Sequence, residues 1–200
     1  MVSRSPRSVG PALHDRALED LRFIRQTMEQ ASAFTAFSGW SLVIIGVTAM
    51  VTAVIAPVHP GTGSWLLLWM GEAALALAIA VTATLRKTRA AGEPLWSGPA
   101  LKFTFSVAPT LIVGALLTAV LAGTALAHLL PAVWMLLYGA GLVSGGMFSH
   151  RIVPLTGVAF IAVGALALFT PASWGNALLA VGFGGLHVVF GTIVARKYGG

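Results

Sequence analysis

Two side chains of this 200-residue chain place ionisable groups inside long apolar stretches: Glu72, in LWMGEAALA, and His187, in GFGGLHVVFG. A carboxyl inside a membrane span costs on the order of 2.5–3.5 kcal/mol on insertion scales. Glu72 must therefore face the interior of a helix bundle or a wet cavity and have a partner there, or carry a proton. An imidazole at mid-bilayer is the natural candidate, because histidine is the side chain that changes charge most readily near neutral pH. The two residues fall on stretches that run in the same direction, at depths differing by about 6 Å at 1.5 Å per helical residue. This placement predicts a Glu72–His187 hydrogen bond, a titratable pair of the kind a small proton-coupled transporter or channel would use. The plainer role for each is packing: a Glu bonded to a neighbouring helix, and a satisfied core His.

Other chemistry is sparse. The chain has no cysteine, which excludes disulfides, thiolate metal sites and cysteine nucleophiles. It has no Walker loop, no HExxH and no paired-carboxylate pattern. His59 and His128 fall in loops at one face and His150 beside Arg151 at the other, where acid sensing is the sharper reading and solvated loop histidines the plainer one. A single intramembrane histidine does not provide facing pairs for haem. No cofactor and no metal site is expected. Ser144 on the fourth apolar stretch and His187 on the sixth are laid out like the serine and histidine of rhomboid-type intramembrane proteases. Ser144, however, lies in the opposite half of its helix from the one that family uses, so an intramembrane hydrolase is the third choice.

The elements that must hold these residues follow from where charge is absent. Apolar residues make up 57% of the chain, charged residues 9%, and the mean hydropathy is +0.88; a soluble domain carries about 25% charge. Between Lys102 and Arg151, and between Arg151 and Arg196, no Asp, Glu, Lys or Arg occurs; between Glu29 and Arg86 the one exception is Glu72. Each gap holds two crossings of about 20 residues and a turn. The expected fold is all-α: a polytopic membrane protein of six transmembrane helices arranged as three hairpins. The spans are placed near 36–56, 65–85, 105–127, 131–148, 152–170 and 176–195, with Pro57, Pro60, Gly61, Gly63, Pro131 and Pro171 marking the breaks.

All twelve basic residues precede span one, follow span six or fall between spans two and three or four and five. The positive-inside rule then puts both termini in the cytoplasm of a bacterial inner membrane. The net charge of +6 reads as an orientation signal. Scattered over four short segments, it does not make a nucleic-acid footprint. Trp65, Trp69, Trp134 and Trp174 fall at the outer ends of spans, and Trp40 and Trp96 near the inner boundary, as aromatic belts do.

Residues 1–13 are polar and expected to be disordered. Residues 14–35 repeat Leu18, Leu21, Ile24, Met28 and Ala31 at helical spacing, predicting a cytoplasmic amphipathic helix that lies against its own bundle or docks a cytoplasmic partner. Residues 36–200 form the bundle. Neither cytoplasmic piece is large enough for a catalytic domain.

Glycines supply the remaining pattern. Gly141 and Gly145 form a small-xxx-small motif, and Gly182, Gly184 and Gly185 lead into His187, where another helix could come close. These Gly/Ala faces suit helix packing or a homo-oligomer. Gly39/Gly46 and Gly157/Gly164 recur seven apart on the outgoing helices one and five, and the middle hairpin keeps Gly114. Each outer turn has a proline followed by a tryptophan: Pro60/Trp65, Pro131/Trp134 and Pro171/Trp174. With the stretch TGVAFIAVGALALFTPASWGNALLAVGFGGLHVVFG, this pattern resembles the HdeD-like family of small six-helix bacterial membrane proteins. The resemblance implies a role linked to acid or envelope stress, without a catalytic residue. The expected function is therefore that of a non-enzymatic, stress-associated or accessory membrane protein.

Overall fold

In the computed structural model, residues 38–58, 63–90, 98–147 and 149–198 are described, together with Arg16, residues 18–22 and Ile24. The chain divides into two compact units, Met1–Ala33 and Phe34–Gly200. In the first, the described residues are helical and exposed. The expected disorder of residues 1–13 and most of the expected helix 14–35 lie outside the described residues.

The second unit is all-helical among its described residues. Its helices are α1 (Gly39–Ile55), α2 (Gly63–Ala90), α3 (Gly98–Leu121), α4 (Leu130–Gly146), α5 (Ile152–Leu168) and a composite α6. The last runs without a break through Gly175–Leu179, a π-helical stretch Ala180–Leu186, and His187–Tyr198. Four helical stretches, Gly63–Ala90, Ala100–Leu121, Ala127–Gly146 and Ala172–Lys197, are long and apolar enough to cross a membrane. The apolar helices α1 and α5 are shorter, at 17 residues each.

Local chemistry sets the ends. Ser38 caps α1: its hydroxyl accepts from the Ser41 N–H, and the Ser41 hydroxyl donates back to the Ser38 carbonyl. Past the end of α3, Gly123 takes a left-handed φ of 76°, the conformation that ends helices and that glycine adopts without strain. This stops α3 at Leu121, ahead of the expected limit at 127, and a single 3-10 turn, Ala127–Leu129, leads into α4. Pro131 sits in the first turn of α4, where its missing N–H costs nothing.

The helices pack in the order α2, α1, α6, α5, α4, α3. Two of the seams are built alike. On α1/α6, a methyl group added to Gly46 would meet the Gly184 carbonyl oxygen at 2.6 Å, and one on Gly191 would meet the Gly39 oxygen at 2.9 Å. On α4/α5, the same addition to Gly157 would meet the Gly139 oxygen at 2.6 Å, and one on Gly146 would meet Pro154. Each seam thus joins an outgoing helix with glycines seven apart (39/46, 157/164) to a returning helix with glycines seven apart (184/191, 139/146). The backbones meet directly, which suits association in lipid, where contact rather than water exclusion drives packing.

A third seam of this kind would join α2 to α3, and it does not form. Helix α2 packs along α1 and α3 along α4, and little of either is buried. Gly114 of α3 meets only Leu137 Cδ1, at an ordinary 3.6 Å. The glycine repeat is therefore realised twice in space, not three times.

Candidate functional site

Glu72 lies on the buried edge of α2, two turns in from Trp65, and is only 8% exposed. It faces α1, where Thr48 and Thr52 stand one turn apart. The Thr48 hydroxyl lies 2.9 Å from Glu72 Oε1, and the Thr52 hydroxyl donates to Oε2 at 3.4 Å. Helix α1 carries no ionisable side chain at all.

His187 is 6% exposed and sits where the π-helical stretch returns to α-helix. Its Nδ1 is 2.9 Å from the Phe183 carbonyl oxygen, which can only accept, so Nδ1 carries the proton. In the neutral ring Nε2 is then an acceptor, and the Tyr138 hydroxyl donates to it at 2.9 Å. The His187 backbone N–H bonds to the Gly184 carbonyl, and the imidazole Nδ1–H donates to the Phe183 oxygen. Tyr138, Phe160 and Phe183 enclose the ring, with centroids 5.4–6.2 Å from it.

The predicted Glu72–His187 bond is therefore not what the structure places there. Glu72 is satisfied by α1, and His187 by α4 and its own helix. The cause is azimuth rather than depth. The face of α6 against α1 runs through Gly184, Val188 and Gly191, and His187 is rotated by about 100° from Val188, as adjacent helical residues are. That rotation turns it toward Tyr138 and Phe160.

The remaining predicted residues are accounted for individually. Methyl groups on Gly141 and Gly145 would meet Thr110, Val107 and Phe103 of α3. Gly182 lies against Met135 Sδ and Gly184 against Met50 and the Gly46 oxygen, whereas Gly185 has only a carbonyl of its own helix nearby. Four of the five packing glycines thus serve contacts within the chain rather than a face between copies. Ser144 is exposed, and both His187 nitrogens are engaged by other groups. The Nδ1–H of His128 donates to the Ala125 carbonyl at 2.8 Å and closes its own turn; His59 lies outside the described residues. Among the described residues, no group of three His, Asp or Glu side chains is placed to hold a metal ion.

Sequence reasoning missed the polar centre at the opposite end of the bundle from the basic residues. Asn176, in the first turn of α6, donates through Nδ2 to the Ala56 and Pro57 carbonyls at 3.0 Å each. Its Oδ1 accepts from Trp65 Nε1 at 2.7 Å and Trp69 Nε1 at 3.3 Å. Trp65 stacks on Trp134 with centroids 5.2 Å apart, and Trp134 Nε1 donates to the Thr118 hydroxyl at 2.7 Å. One asparagine and three tryptophans thereby tie α1, α2, α3, α4 and α6 together. Trp65 and Trp69 are core residues, with exposures of 0% and 3%, rather than members of an aromatic belt, whereas Trp174 is 57% exposed. Beside Asn176 runs a shallow groove of about 340 Å³ between α1 and α6, lined by Ala53, Val54, Ala177 and Ala180 among others. Neither Glu72 nor His187 borders it.

Comparison with protein-family profiles, with curated proteins and with solved structures gives no match to this chain.

Proposed function

We propose that this protein is a non-enzymatic, six-span membrane protein with an accessory or stress-associated role, as the resemblance to the HdeD-like pattern suggests. The observation that carries this reading is the enclosure of its two intramembrane ionisable groups. A transporter needs a hydrated path past Glu72, but that carboxyl faces two threonines of a helix without charge. His187 is held inside an aromatic box. A hydrolase needs Ser144 within reach of an imidazole nitrogen, and both nitrogens have other partners.

Six crossings are part of the proposal. Helices α1 and α5, about 26 Å long at 1.5 Å per residue, fall at the short end of the roughly 17–25 residues that span a bilayer. The antiparallel seams support a single cationic end. Lys102 lies near the start of α3, Arg151 precedes α5, and Arg196 and Lys197 lie in the last turn of α6. By the positive-inside rule that end is cytoplasmic, with the protein in a bacterial inner membrane. Its primary partner is the bilayer, and a cytoplasmic partner would engage the helix around Leu18 and Leu21. Self-association would use the alanine-rich outer surface of α2, since the packing glycines are occupied within the chain.

The test is proton and ion flux in sealed liposomes for the wild type and Glu72→Gln. Neither should conduct above empty vesicles. A wild-type flux that the substitution abolishes would replace this reading with the transporter.

A further inference from the structure

The hydroxyl of Thr48 has more acceptors around it than it has protons. Its Oγ1 lies 2.9 Å from the Ile45 carbonyl oxygen, 3.2 Å from the Ile44 carbonyl oxygen and 2.9 Å from Glu72 Oε1. A threonine hydroxyl donates one proton and accepts through its lone pairs. If Glu72 were a carboxylate, it would compete with the helix carbonyls for that single proton. A proton on Glu72 Oε1 resolves the competition. The carboxyl O–H donates to Thr48 Oγ1, the Thr48 O–H donates to the Ile45 carbonyl, and the Thr52 O–H donates to Oε2. Every oxygen in the chain then has a partner, consistent with the absence of unsatisfied buried side-chain atoms among the described residues.

Among the described residues, the helices that carry and face Glu72 supply no neighbouring counter-ion. Helix α1 is free of ionisable side chains across Gly39–Ile55. The nearest cation on α2 is Arg86, fourteen residues and about 21 Å further along the helix. The histidine of α6 is engaged with Tyr138 and Phe183. An anion here would stand in a low-dielectric seam without a counter-ion, and lipid offers no water to replace one.

We infer that Glu72, Thr48 and Thr52 form a binding site for a single proton, and that this proton fastens α2 to α1. The site deepens the account of Glu72 without making it a conduit: the proton completes a hydrogen-bond chain that ends on the backbone of α1. Because α2 packs along α1 and along no other helix to a comparable extent, removing the proton should loosen α2 specifically.

Infrared spectroscopy of the full chain in lipid at neutral pH tests this directly. The other five acids, Asp15, Glu19, Asp20, Glu29 and Glu93, lie outside the apolar stretches, and the carboxylic C=O band expected from Glu72 is identified by substitution. Glu72→Gln should abolish it. Thr48→Val should keep the band but shift it upward, because the O–H loses its acceptor; a purely structural threonine would not move it. An amide imitates the neutral acid, so Glu72→Gln should also change the unfolding equilibrium by less than threefold, against a tenfold or greater loss for Glu72→Ala. Absence of the band in the wild type, or its persistence in Glu72→Gln, overturns the inference. So does a tenfold destabilisation by Glu72→Gln.

Discussion

The glycine seams make the most quantitative prediction, because the structure supplies both a crowded and an open glycine. In Gly157→Ala the new methyl carbon would lie 2.6 Å from the Gly139 oxygen and 2.7 Å from the Val143 nitrogen, both backbone atoms that cannot rotate away. Ordinary contact begins near 3.4 Å, so α4 and α5 would have to part by about 0.8 Å along a seam packed by four glycines. Overpacking of this kind costs about 1–3 kcal/mol, against which alanine recovers up to about 1 kcal/mol of helix propensity. A net loss of about 1–2 kcal/mol is expected. Gly71 on α2 has nothing within 4 Å of the same position, so Gly71→Ala should stabilise by about 0.5–1 kcal/mol. Reversible unfolding in mixed micelles, followed by helicity, measures both. The opposite signs are the point of the experiment. Equal changes in the same direction would show that close backbone approach does not govern these seams. Gly139→Ala combined with Gly157→Ala should be less than additive, since both open one seam.

Further predictions concern the polar contacts. Asn176→Leu deletes four hydrogen bonds and leaves two carbonyls and two indole N–H groups without it. At about 0.6 kcal/mol per bond in membrane proteins, roughly 2 kcal/mol of stability should be lost, with a shift in tryptophan emission as Trp65 and Trp69 loosen. Tyr138→Phe keeps the aromatic box but removes the donor to His187 Nε2, and should cost about 0.6–1.7 kcal/mol by the same unfolding assay. Thr118→Val, which removes the acceptor for Trp134 Nε1, should cost a similar amount by the same assay.

The all-helical architecture is legible from charge spacing, because the uninterrupted apolar stretches it marks are where the helices form. The helix limits are less so. Helix α2 continues to Ala90, beyond the apolar stretch, since Arg86, Lys87 and Arg89 are good helix formers. Helix α3 begins at Gly98 rather than near 105, with Pro99 in its first turn, where its missing N–H costs nothing. The glycine pattern indicates close approach, but not which helices meet. Glycines on α1 pair with those of α6, the helix furthest away in sequence. Depth along a helix can be counted from the sequence. The direction each side chain faces depends on neighbours the sequence does not identify, so Thr48, Thr52 and Tyr138 went unnoticed as partners. Asn176 was equally silent: one amide at a helix start reads as a cap, and its four bonds exist only once Trp65 and Trp69 are folded against it.

The most direct test concerns the crossings themselves. The chain has no cysteine, so single cysteines can be introduced at Arg89, Arg151, Arg196, Val58 and Ser173 and labelled with a membrane-impermeant thiol reagent in sealed vesicles of known orientation. Six crossings require residues 89, 151 and 196 to react from the cytoplasmic face and residues 58 and 173 from the opposite one. Labelling of 89 and 196 from different faces would contradict the account.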